Sequence, residues 1–155
     1  MVATELEDLK VLGDAEAVAD GVWKLVTKWE PFARDTVGKQ LARAADSIGA
    51  NIAEAYGRFH YGEKLQFLYY ARGSLFETKY WLSRALARGL MAEDQVQHYA
   101  VQLTDVARRL NSFASSIKKQ RRGQPVRSQV REAPAEYVAD ALLFAEAELE
   151  WLWAG

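Results

Sequence analysis

The chain reads as all-α, an antiparallel up-and-down four-helix bundle with an additional C-terminal helix. Apolar residues recur at steps of three and four along most of its length, as one face of a 3.6-residue helix requires. Proline occurs only at Pro31, Pro125 and Pro134. No alternating run of β-branched residues competes with the helical period.

The elements follow in order. A short helix near Ala3 to Leu12 is expected to stop at Gly13, with Asp14 capping the next. The first main helix carries Ala15, Val18, Val22, Leu25 and Trp29 and ends before Pro31. A connection through Thr36 leads to a second helix whose core stripe is Val37, Leu41, Ala44, Ile48, Ile52, Ala55 and Phe59. Its other margin is small (Ala42, Ala45, Gly49, Ala53), which lets a neighbouring helix come close. The third helix runs from about Tyr61 to Arg88, with Gly62 still in the turn and a stripe of Leu65, Leu68, Leu75, Leu82 and Leu86. Tyr69, Phe76 and Tyr80 add an apolar flank on one side, Phe67 and Trp81 on the other. Gly89 ends it. The fourth helix starts near Glu93 and shows a strict seam of Val96, Tyr99, Leu103, Val106, Leu110, Phe113 and Ile117, typical of antiparallel bundles. Gly123-Gln124-Pro125 breaks the pattern, so residues 1–122 form the bundle and 123–155 a linker with an acidic amphipathic helix. That helix is expected from Pro134, with Val138, Leu142, Ala145, Leu149 and Leu152 as its stripe beside Tyr137, Phe144 and Trp151.

A chain of 155 residues, 50% hydrophobic, can bury one core without disulfide or metal. It contains no cysteine, which excludes thiolate sites and fits a reducing compartment. No apolar run approaches the roughly twenty residues of a membrane span, and no signal peptide is recognisable. A cytoplasmic protein without membrane contact is expected.

The net charge of −1 conceals a division: residues 132–155 hold six acids and no Lys or Arg, leaving +5 on the rest. Arg108, Arg109, Lys118, Lys119, Arg121, Arg122, Arg127 and Arg131 follow Asp105 without an intervening acid. Such a run attracts phosphate or an acidic protein surface. The competing reading is a solvated helix end whose cations suit the helix dipole. The acidic tail is complementary to this run, so it is expected to dock, by charge and apolar contact, on the body or on an adjacent subunit.

The second helix also carries a polar ribbon of Ser47, Asn51, Glu54 and Arg58. Glu54 and Arg58 have the spacing of an ordinary helix ion pair. Held between helices, the ribbon instead forms a structural network reaching Glu77 or the loop near Gly57 and fixing the bundle register; a ligand site is the third reading. The aromatic excess of the third helix is larger than a two-helix contact covers, and large apolar patches are uncommon on monomers. Tyr69, Phe76 and Tyr80 are therefore the candidate oligomer interface.

Ser47-Ile48, Asn51-Ile52-Ala53-Glu54 and Gly57-Arg58, followed by Gly73-Ser74-Leu75-Phe76-Glu77, resemble the paired motifs of the four-helix-bundle proteins encoded by intervening sequences in bacterial ribosomal RNA genes. That family is related to the accessory variability proteins of diversity-generating retroelements. Gln40-Leu41-Ala42-Arg43-Ala44-Ala45 is similar to the family's preceding segment, while Ala55 stands where the family has glycine. The likeness covers roughly Trp23 to Lys119. It implies a noncatalytic oligomeric scaffold, often a pentamer, with a reverse transcriptase as a partner.

Sites for chemistry fail on spacing. Di-iron bundles need Glu-x-x-His on two helices, but Gly57 precedes His60 by three and Gln95 precedes His98. Zinc lacks ligands. There is no Gly-x-Ser-x-Gly elbow and no Walker loop. The expectation is a nonenzymatic, cofactor-free homo-oligomer that binds RNA or DNA, or a reverse-transcriptase-type protein, through its basic surface; the alternative is an interaction module or structural bundle without a nucleic-acid role.

Overall fold

The computed structural model describes residues 2–122 and 142–154, and every regular element among them is helical. Helix α1 is Val2–Val26, α2 the short turn Pro31–Ala33, and a π-helical turn Arg34–Gly38 runs into α3, Lys39–Gly57. Helices α4 (Tyr61–Ala87), α5 (Glu93–Arg122) and α6 (Glu146–Trp153) complete the order.

The first helix does not stop at Gly13. Val11 and Ala15, on either side of that glycine, are both fully buried, and Asp14 engages Arg109 at 2.7 Å instead of capping a new helix. A helical glycine costs about 1 kcal/mol against alanine, less than burial of a valine contributes, about 1.5 to 3 kcal/mol. The connection expected as far as Thr36 is also shorter. Pro31 occupies the first helical position, where its missing N–H is no loss, and Thr36 Oγ1 donates back to the Phe32 carbonyl at 2.6 Å. The π-helical turn buries Val37 and Gly38. A Cβ on Gly38 would stand 2.6 Å from Val26 Cγ1, so the approach of α1 to this turn requires glycine.

On α3 the apolar stripe is buried from Val37 through Ala55, but Phe59 is 88% exposed. The helix ends at Gly57 and Arg58 turns to extended backbone, ψ 146°, which carries Phe59 off the face that the period assigned to it. Gly62 lies inside α4 and is buried. At the other end of α4, Gly89 takes φ 72°, its N–H donates to Leu86 and the Leu90 N–H to Ala85. This paired termination satisfies two of the last carbonyls.

Helix α1 packs on α3 and α5, and α4 packs on the same two, so four helices close a ring around the core. Contacts within the α1–α3, α1–α5 and α3–α4 pairs run in opposite senses. Gly38 meets Val26 while Gly49 meets Leu12 and Ala15; Asp14 pairs with Arg109 while Gly21 abuts Tyr99; Asn51 meets Ser74 while Arg58 lies over Phe67. The small margin of α3 faces α1, as Gly49 shows.

Beyond α5 the expected helix is interrupted over residues 142–145 and its described helical part is Glu146–Trp153. Gly123 to Pro125, Pro134, Tyr137 and Val138 lie outside the described residues. Residues 142–145 are not helical, Leu142 is 60% exposed and Ala145 is exposed. The adjacent Leu143 and Phe144 point inward instead, followed by Leu149 and Leu152. Two side-chain hydrogen bonds from Asn111 hold the backbone of Phe144 out of a helix, and the helical period has no force there.

Candidate functional site

The α3 ribbon is mostly self-satisfied. Ser47 Oγ donates to the Arg43 carbonyl at 2.8 Å. Asn51 Nδ2 donates to the Ser47 carbonyl at 2.9 Å and to Ser74 Oγ, on α4, at 3.4 Å. Arg58 pairs with Glu54 at 2.6 Å and places its guanidinium 4.6 Å from the centre of the Phe67 ring. Glu77 does not join them. It is exposed and accepts from Trp81 Nε1 at 3.3 Å, so the crossing to α4 goes through Ser74, one turn earlier than expected.

The basic run is divided by its partners. Arg109 is paired with Asp14, and Arg108 stands 4.0 Å from Glu146 of α6. Lys118, Lys119, Arg121 and Arg122 occupy the last turns of α5, with Lys119 and Arg122 exposed. Lys118, Lys119 and Arg122 line one pocket with Leu142 and Leu143. Arg127 and Arg131 lie outside the described residues. Nearby in kind is the α3–α4 loop, where Lys64 Nζ donates to the Tyr56 carbonyl at 2.9 Å, Phe67 meets Tyr70 edge to face, and Tyr56, Phe59 and Tyr70 are exposed.

The aromatic flank of α4 has three fates. Phe76 is half-buried against Phe144 and Trp151, ring centres 5.7 and 5.6 Å away, so this chain's own tail takes a surface expected for subunit contact. Tyr69 is half-buried against the core. Tyr80 remains 54% exposed, its ring edge-to-face with Trp81.

That tail is seated by residues the motifs did not mark. Asn111 grips the Phe144 backbone from both sides: its Nδ2 donates to the carbonyl at 2.9 Å and its Oδ1 accepts the N–H at 2.7 Å. Arg72 Nε donates to the Leu143 carbonyl at 2.8 Å, and its Nη2 pairs with Glu148 at 2.9 Å. Gln97 Nε2 donates to the Trp153 carbonyl at 3.1 Å. The docking expected from sign and apolarity is therefore present on the chain's own body.

Lys79 lies beneath the tail. It is only 2% exposed, its Nζ has no hydrogen-bond partner, and the Trp151 ring centre is 5.6 Å away. Burial holds this ammonium below the usual lysine range. Across the core, burial pushes the Tyr99 phenol up.

Among the described residues, no group of three or more His, Cys, Asp or Glu is placed to hold a metal, and no helix is long and apolar enough to cross a membrane. His60 precedes α4 and His98 is exposed on α5. Residues 7–112 match the model of the family described as 23S rRNA-intervening sequence protein. The match begins before Trp23 and stops short of Lys119. No curated protein matches the chain.

Proposed function

Because the chain belongs to the 23S rRNA-intervening sequence protein family, we propose that it is a noncatalytic helical scaffold, an antiparallel up-and-down four-helix bundle that joins copies of itself and binds RNA or DNA, or a reverse-transcriptase-type protein. The observation that carries this reading is the concentration of Lys118, Lys119, Arg121 and Arg122 in the last turns of α5. In such a bundle α3 and α5 run the same way, so these cations share an end with the aromatic and basic α3–α4 loop. Exposed rings beside cations suit a single strand, where bases stack and phosphates pair. Phe32, Phe59 and Tyr80 supply exposed apolar area for self-association. Several copies around a ring multiply weak phosphate contacts. The pentamer and the reverse-transcriptase partner come from the resemblance to accessory variability proteins, and the cytoplasm is the setting proposed.

One observation favours a second reading, a protein-interaction bundle without nucleic acid: Arg108 and Arg109 are both turned to carboxylates of the same chain. Salt-titrated binding to RNA and DNA separates the two. Phosphate contacts weaken steeply and linearly on a log–log plot against salt, and absence of binding at low salt rejects the first reading. Light scattering that finds a single copy at high concentration rejects the assembly.

A further inference from the structure

We propose that the groove of α4 and α5 that holds α6 is an acceptor for an acidic segment of a partner protein, a non-helical stretch leading into a short amphipathic helix, with residues 142–153 as its resident occupant.

The groove's chemistry is general in what it holds and incomplete in what it satisfies. Its hydrogen bonds from Arg72 Nε, Asn111 and Gln97 go to backbone atoms of Leu143, Phe144 and Trp153, which any chain in that conformation offers. Its ionic contacts ask for acids: Arg72 takes Glu148 and Arg108 faces Glu146. Its apolar part takes Phe144, fully buried against Phe76, together with the buried Leu143, Leu149 and Leu152.

Lys79 sets the specificity. An ammonium withdrawn from water and left without an acceptor is costly, and the resident helix presents Trp151, not a carboxylate, above it. The ring face attracts the cation without closing its hydrogen-bonding deficit. A helix that carries an acid where α6 carries Trp151 completes the site and binds in its place. The helical part of the resident occupant is short, eight residues, and the ring of α1, α3, α4 and α5 closes without it. Twenty-three residues lie between Arg122 and Glu146, so the resident stays covalently joined to the body when it leaves the groove.

The test uses the full chain carrying Phe144→Ala, which loosens the resident, and fluorescent peptides of residues 142–154 with Trp151→Glu or Trp151→Gln. Anisotropy should show saturable binding, with the glutamate peptide preferred about tenfold or more, the scale of a hydrogen bond to a charged group. Adding Lys79→Met, which removes a buried unpaired charge and so leaves folding intact, should erase that preference while both peptides still bind. No saturable binding, equal affinity of the two peptides, or a preference that survives Lys79→Met overturns the proposal. So does energy transfer showing that labelled tails of the unmodified chain exchange between copies, because the occupant is then a second copy. These readouts are independent of the salt-titrated binding assigned to the end of α5, so either reading can fail without the other.

Discussion

The ribbon on α3 and the seat of the tail on α4 and α5 use the same kinds of side chain, amide, guanidinium and carboxylate, and hold by opposite means. In the ribbon, Ser47, Asn51 and Arg58 each bond to a residue four positions earlier on the chain; its links to α4 are the 3.4 Å contact of Asn51 with Ser74 and the Arg58 guanidinium over the Phe67 ring. In the seat, Asn111 reaches a residue 33 positions away, and Arg72 reaches residues 71 and 76 positions away. A recognisable motif thus marks mainly local satisfaction of a helix. The long-range joint rests on isolated residues without motif character.

The contrast breaks most decisively at Phe144. Truncation of a fully buried aromatic costs about 3 to 5 kcal/mol, so Phe144→Ala should release α6 while the four long helices stay folded. Hydrogen exchange would show protection lost over residues 146–153 and kept in α4 and α5, with tryptophan emission shifting to the red. Protection that persists in α6 would mean that the polar clamps suffice.

Arg72→Met comes next. It strands the Leu143 carbonyl and leaves Glu148 without its cation, and charged hydrogen bonds are worth about 1.5 to 3 kcal/mol each. The Arg72–Glu148 pair is about one-third exposed and is discounted for solvent, so a loss near the lower figure is expected in α6 protection. The thermal midpoint of the body should hardly move.

Asn51→Leu should do the reverse at smaller scale. Its local bond and weak cross-helix bond total about 1 kcal/mol, read as a drop of a few degrees in the midpoint with α6 still protected. Disturbed oligomer order in the same variant would mean that the Asn51–Ser74 contact sets bundle register. Unchanged stability combined with lost partner binding would instead make the ribbon a ligand site.

The finest comparison is with pH. Burial keeps Lys79 below its ordinary value of 10.5, so between that depressed value and 10.5 the unfolded chain holds a proton the folded chain has released. Stability therefore rises with pH through that interval. Tyr99, raised above 10.0 by burial, acts in the opposite direction, losing stability as pH climbs past 10.0. It does so equally in Lys79→Met, and the difference between the two denaturation curves isolates the lysine. Equal slopes would show that Lys79 gains no protonation penalty on folding.

Most of the fold was legible because burial imposes a period. The seam of α5 from Val96 to Ile117 and the stripe of α3 from Val37 to Ala55 are buried residue for residue. The period misled where the backbone left the helix, at Phe59 and at Leu142, since a spacing rule carries no information past a helix end. It also hid Arg72 and Lys79. They stand in the two gaps of the leucine stripe on α4, so that 65, 68, 72, 75, 79, 82 and 86 alternate by three and four without a break. Two cations at core positions are a signal that something polar or aromatic must cover that stretch. Asn111 offered no comparable signal, because its partner is a backbone that only the docked tail brings near.

The glycines of the α1–α3 seam have unequal mutational headroom. At Gly38 an added methyl meets Val26 inside any tolerable distance, which ties that end of the seam to one residue type. At Gly49 the same methyl would rest 3.6 Å from Leu12 Cδ1, an ordinary packing distance. Alanine there packs against Leu12 and Ala15 without a clash and narrows the freedom of the unfolded chain, a gain of about 0.4 to 1 kcal/mol. Thermal hardening of this molecule therefore has a natural entry point halfway along α3, and an equally natural place to leave alone near its start.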